Sequence, residues 1–251
     1  MSPSTAENLL WIWETGRDQH PVDRALTMLL GAGMGETRQQ LAALPVAQRD
    51  ERLLQLREQV FGTRIEAFVQ CPRCSENLEF TLSTAQIRAH GKGEEIPDRC
   101  EGEAPSLAVV SDDIKVCFRL PDSLDLAAAA QCDKLSDARH LIVRRCIREV
   151  CRGHRSLDIQ SLPVHALDAA GAEIERRQQQ AEVLLEFQCP ACGLSRQMMF
   201  DIVSFLWAEI ETEAASLLRE VHILASAYGW RETDILSLSP VRRRFYLEAV
   251  L

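Results

Sequence analysis

The chain has 251 residues, is 46% hydrophobic and carries a net charge of −9 with a pI near 5.3, which together exclude a disordered chain and a phosphate-binding face as its main surface. No apolar run approaches the roughly 20 residues that a membrane helix needs, so no membrane partner is expected. Residues 1–20 hold Glu7, Glu14 and Asp18 around a short apolar stretch and predict no secretory signal. A cytoplasmic location and reduced thiols therefore follow as expectations for the nine cysteines.

The first 62 residues read as a helical region. Asn8–Thr15 is short and amphipathic, and Pro21 opens a helix that Gly31 closes. The Gly31-Ala32-Gly33-Met34-Gly35 run follows a helix and is followed by no phosphate-loop lysine, so it reads as a helix stop. Thr37–Ala43 and Val46–Phe61 are two further helices, and Gly62 ends the second.

Arg64–Gln70 alternates as a strand and opens a segment, 63–90, that holds Cys71 and Cys74. An inserted α/β region, 91–180, comes next. It starts with a polar loop at 91–105, then a hairpin over Leu107–Val110 and Ile114–Leu120. Pro121-Asp122-Ser123 caps a helix over Leu124–Cys132, Asp137–Cys151 reads as another helix, and Val164–Gln180 as a third. The last segment, 181–251, takes a strand at Ala181–Gln188, Cys189 and Cys192, and a long helix from Asp201 to Tyr228. A short turn of helix at Thr233–Leu238 and a final helix capped by Ser239-Pro240 complete it.

Two of these segments repeat one unit. Gln70-Cys71-Pro72-Arg73-Cys74 matches Gln188-Cys189-Pro190-Ala191-Cys192. Each follows a strand and leads into another, and nine positions after its second cysteine stands a helix-capping residue, Ser83 or Asp201. A tight Cys-Pro-x-Cys turn between strands aims two thiolates at one point, and a structural tetrahedral zinc needs four. The spacing therefore predicts one structural Zn2+ per chain, held by Cys71, Cys74, Cys189 and Cys192. The site is a zinc ribbon split by 115 positions between Cys74 and Cys189. A redox dithiol normally sits at a helix N-terminus, which these turns lack. Metal-free tight turns are the plain alternative. The expected fold is α+β, mostly helical, with a small β-sheet built around the four-cysteine site. Cys100, Cys117, Cys132, Cys146 and Cys151 show no ligand spacing and read as small, mostly buried side chains.

No catalytic site is legible. The six histidines form no metal-binding pair, and Asp112-Asp113 and Glu94-Glu95 lie in turns or loops, where they read as solvated charge. The chain is expected not to be an enzyme. A cluster at the C-terminal end, Trp230 with Arg242, Arg243, Arg244, Phe245 and Tyr246, has the residue types enriched at binding hot spots and is the candidate partner surface.

The ordered motifs resemble baseplate proteins and baseplate hub assembly chaperones of contractile phage tails and related contractile injection systems. The resemblance lies in Pro21-Val22-Asp23-Arg24-Ala25-Leu26, Gln48-Arg49-Asp50 with Leu53-Leu54, Phe61-Gly62, the first knuckle with Leu78-Glu79-Phe80, and Phe118-Arg119-Leu120-Pro121 with Asp125-Leu126. It continues through the second knuckle, Tyr228-Gly229-Trp230, Ile235-Leu236 and the three arginines with Tyr246-Leu247. It implies an assembly factor or baseplate component whose partners are hub, spike or tape-measure proteins, acting in the bacterial cell or built into a phage-tail-like particle. The competing class is a zinc-ribbon nucleic-acid or transcription adaptor. The acidic charge opposes it, and only Arg73 stands beside the first cysteine pair.

Overall fold

A computed structural model describes residues 5–33, 36–90, 107–153, 155–179 and 183–250. The polar loop expected at 91–105 lies outside the described residues. The chain is α+β and mostly helical, and it divides into two compact units: Met1–Leu41 with Ile202–Leu251, and Ala42–Asp201. This division differs from the four segments expected along the sequence, because it cuts 1–62 after Leu41 and 181–251 after Asp201.

The first unit is helical. It contains α1 (Thr5–Gly16), α2 (Pro21–Gly31), α3 (Arg38–Ala42, whose last residue lies past the division), α9 (Ile202–Tyr228), α10 (Glu232–Leu236) and α11 (Pro240–Glu248). Pro21 occupies the first turn of α2, where its missing N–H is not needed, and the His20 side chain accepts from the Val22 N–H. Leu206, Ile210, Leu217 and Leu224 recur at helical spacing along α9 and are buried, as are Leu9 and Ile12 of α1 and Ala25, Met28 and Leu29 of α2. Arg24 lies over the Trp207 ring at 4.2 Å and donates to the Gly16 carbonyl, so its charge serves packing in this unit.

The second unit contains α4 (Val46–Phe61), β1 (Arg64–Gln70), β2 (Asn77–Ser83), α5 (Thr84–His90), β3 (Leu107–Ser111), β4 (Ile114–Phe118), α6 (Ser123–Ala129) and α7 (Leu135–Cys146). They are followed by β5 (Ile147–Arg152), β6 (Arg155–Ser156), a short 3-10 turn at Ile159–Ser161, α8 (Val164–Gln179), β7 (Leu184–Gln188) and β8 (Ser195–Met199). Among the described residues three antiparallel sheets result: β1-β2, β3-β4-β5-β6 and β7-β8. The strands flanking the cysteines thus form two separate hairpins rather than one shared sheet. The four-stranded sheet packs one face on α7 and α8. Ile114, Val116, Phe118, Val143, Ile147, Val150, Ala166, Leu167, Ala170 and Ile174 belong to one buried cluster there.

The helix expected to run from Asp137 to Cys151 ends at Cys146, and the rest of that stretch is β5. The misreading has a physical cause. Phe118 pairs with Ile147 but Cys117 pairs with Glu149, so Arg148 is an extra residue in the ladder. This bulge puts Ile147 and Val150 on the same buried side three positions apart, a spacing that imitates a helix.

The Asp122-Ser123 cap is realised in full. The Asp122 carboxylate accepts from the Leu124 and Asp125 N–H groups, and Asp125 accepts in return from the Asp122 N–H. Asp125 is buried and also takes two hydrogen bonds from Arg119 and one from Arg145. Burial alone disfavours its charge. The Arg119 hydrogen bonds, the Asp122 N–H and Arg145 outweigh that and hold the Asp125 carboxyl below the usual carboxylate range.

Candidate metal centre

Each cysteine pair sits where a hairpin turns. In the first, Gln70 pairs with Asn77; in the second, Gln188 pairs with Ser195. The Cys71 N–H donates to the Glu76 carbonyl at 2.8 Å and the Ser75 N–H to the Cys71 carbonyl at 2.8 Å. The second turn repeats both bonds, from Cys189 to Leu194 at 2.8 Å and from Gly193 to Cys189 at 2.9 Å. The residue after each second cysteine takes a left-handed conformation, Ser75 at φ 60° and Gly193 at φ 70°. Glycine adopts this without cost and serine does so with strain, so the first turn is held by more than local preference.

The two turns face each other. The Cys71 and Cys192 Sγ atoms lie 3.7 Å apart, those of Cys74 and Cys189 3.6 Å, and all four Sγ atoms lie within 4.8 Å of one another. A tetrahedral zinc with sulfur at about 2.3 Å places its ligands about 3.8 Å from each other. The cross-hairpin spacing fits that edge, and is far beyond the roughly 2 Å of a disulfide. The cluster can hold a metal ion, and four thiolates would close its coordination sphere.

The floor of the cluster is apolar. Leu78 is buried with Cys71 and Cys189, and Val69, Phe187 and Leu194 pack against them. Cys74 is the exposed member. The crowding divides the thiols. The Arg73 N–H, with neighbouring donors, brings Cys71 down to about 6. Cys74 takes a hydrogen bond from the Glu76 N–H, yet the desolvation of its sulfur within the cluster and the three other thiols push it up to about 12. A cation removes this conflict, because it stabilises all the thiolates at once. Arg73, the lone basic residue of the first knuckle, reaches to 3.5 Å from the Cys192 carbonyl, from one hairpin to the other.

The C-terminal candidates divide. Tyr228, Trp230 and Tyr246 form an aromatic cluster, with ring centroids at 4.7 Å for Tyr228–Trp230 and 4.9 Å for Trp230–Tyr246. Arg243 is buried and leaves the expected arginine patch. It donates to Glu220 at 2.8 Å and to the Leu238 carbonyl at 3.0 Å. Arg242 and Arg244 are exposed, and so is Phe245. Sequence reasoning missed Val241, which is 80% exposed and lies one turn before Phe245 on α11. Of the cysteines without ligand spacing, only Cys146 among the described residues is fully buried. Cys117, Cys132 and Cys151 are half-buried, and Cys100 lies outside the description.

The molecule is thus an α+β protein in which two hairpins far apart in sequence bring four thiols together. The model of the T4 bacteriophage base plate protein family matches residues 5–207, most of the chain, and the chain belongs to that family. It is a phage baseplate protein. No curated protein and no solved structure gives a significant match. Among the described residues, no helix is long and apolar enough to cross a membrane.

Proposed function

We propose that this baseplate protein is non-enzymatic and acts as an assembly factor or structural component of the baseplate. In this reading Cys71, Cys74, Cys189 and Cys192 clamp it around one structural Zn2+, and its partners are hub, spike or tape-measure proteins. The observation that carries the clamp is the convergence of four thiols, all within 4.8 Å of one another, delivered by two hairpins 115 positions apart. A site closed by four thiolates leaves no position for a substrate or an activated water, which supports a structural metal. The partner surface is the exposed face of α11 with Val241, Arg242, Arg244 and Phe245, bordered by Trp230 and Tyr246. Its place of action is the bacterial cytoplasm, with incorporation into the particle as the end point.

Metal analysis of the purified chain should give one zinc per chain, bound by sulfur alone. None, or two per chain, rejects the shared clamp. Co-expression with the baseplate hub, spike and tape-measure proteins tests the partner. Recovery of none of them rejects the assembly reading. A salt-dependent shift of bare DNA or RNA by the zinc-loaded chain would replace it with the nucleic-acid adaptor.

A further inference from the structure

Helix α11 carries the run Val241-Arg242-Arg243-Arg244-Phe245, and the middle residue settles how the helix is turned. Arg243 is 5% exposed and is held by Glu220 of α9 and by the Leu238 carbonyl. Successive residues of a helix stand about 100° apart. With Arg243 turned inward, Val241 and Phe245 each lie about 160° from it and only about 40° from each other. Arg242 and Arg244 then flank this apolar pair, one on each side. Exposure agrees: Val241 is 80% exposed, Phe245 is 67% exposed, and both flanking arginines face solvent. The Ser239 side chain accepts from the Arg242 N–H and Pro240 opens the helix, so its first turn is fixed as well. Among the described residues neither flanking arginine has an ion-pair partner, although the chain holds 37 acidic and 28 basic residues. Glu248, one turn past Arg244, is exposed and is not paired with it.

We propose that the element of the partner which docks here is an amphipathic helix with an apolar stripe and a carboxylate on each side of it. This rests on the reading of α11 as the partner surface, and it adds the chemistry that the surface selects. Val241 and Phe245 are one turn apart, about 6 Å along the axis, which is the spacing of i, i+4 neighbours on a facing helix. Each flanking guanidinium can take a carboxylate through two parallel hydrogen bonds. An acidic segment without apolar residues would satisfy the arginines and leave Val241 and Phe245 in water. A wholly apolar helix would cover Val241 and Phe245 but strip water from two charges and give them no partner. A helix with both features meets the whole face.

The test uses the full zinc-loaded chain and a fluorescent peptide, stapled as a helix, with the run leucine-glutamate-alanine-glutamate-leucine that mirrors α11. We expect saturable binding that weakens as salt rises. The same peptide with serines for its leucines, or with lysines for its glutamates, should bind at least tenfold more weakly. Arg242→Glu with Arg244→Glu should keep zinc content and thermal midpoint, lose the glutamate peptide and gain the lysine peptide. Val241→Ser with Phe245→Ser should lose both. No binding at millimolar peptide overturns the proposal. Equal binding of the serine peptide shows plain attraction of negative charge, and also overturns it. If sedimentation shows a dimer of the free chain that Arg242→Glu with Arg244→Glu dissociates, the occupant is a second copy, and the partner helix is rejected. Two outcomes separate this inference from the proposed function. If the α11 variants lose the hub, spike or tape-measure proteins while the parent chain ignores the peptide, α11 stands as the partner surface and the acidic helix is rejected. If the peptide preference inverts as expected while both variants still recover those proteins, the recognition chemistry holds and α11 is not where those proteins dock.

Discussion

The four-stranded sheet and the cysteine hairpins solve the same problem by different means. The sheet buries one face on α7 and α8 through a broad apolar cluster centred on Phe118, Val116 and Ile114. Among the described residues the two hairpins share a small buried cluster, Cys71, Leu78 and Cys189 with partly buried neighbours, and two-stranded sheets are marginal by themselves. Where apolar area is scarce, a metal can supply the missing free energy, as in small metal-dependent domains. The comparison breaks first at the cysteines. Cys71→Ser and Cys189→Ser should each lower zinc from about one per chain to near none. Amide exchange should then become fast in β1, β2, β7 and β8 while β4 and β5 stay protected. Tolerance of one substitution and not the other would show that the hairpins do not share a metal. Loss of protection in β4 and β5 as well would show that the sheet depends on the clamp.

The converse substitution is the next largest. Phe118→Ala removes a fully buried side chain from the centre of the sheet cluster and should cost about 4 kcal/mol in denaturant unfolding. Zinc content should be unchanged at temperatures where the variant is folded. Asp125→Asn follows at about 3 kcal/mol, because it leaves Arg119 and Arg145 without their carboxylate. The folded Asp125 carboxyl ionises below its ordinary value, so its contribution is complete above about pH 4 and is lost as pH falls through the folded value. The stability gap between wild type and Asp125→Asn should therefore narrow below pH 4. A gap that is constant from pH 7 to pH 3 would mean that the aspartate acts through shape alone.

The site was far more legible in the sequence than the sheet beside it. Cys-Pro-x-Cys appears twice with matching flanks, and a metal site leaves such a mark because its geometry admits few residue types at fixed spacing. The caps at Asp122 and Ser239 were visible for a similar reason, as each rests on short-range hydrogen bonds between neighbouring residues. β5 was not legible, because the bulge at Arg148 replaced alternation with a three-residue interval. Nor could local pattern show that β1-β2 and β7-β8 stay separate, since strand neighbours are settled by long-range packing. Arg243 looked like its neighbours for the same reason. One position along a helix turns a side chain by about 100°, and only the tertiary structure shows that this places it against Glu220.

That difference among three consecutive arginines gives the prediction with the smallest effect on stability. Arg242→Glu with Arg244→Glu changes two exposed side chains, and each should move stability by about 0.5 kcal/mol or less. Zinc content and the unfolding midpoint should stay close to wild type. Arg243→Glu, by contrast, should cost about 3 kcal/mol, because it breaks a buried pair and sets two carboxylates against each other at Glu220. If α11 is the partner surface, the double variant should lose pull-down of hub, spike or tape-measure proteins while remaining as stable as the parent. Val241→Ser with Phe245→Ser should lose it too, since both side chains are exposed where packing would bury them at an interface. The stable double variant makes the result decisive, because its loss of binding cannot be assigned to unfolding. Full assembly of particles by both double variants would remove α11 as the docking surface.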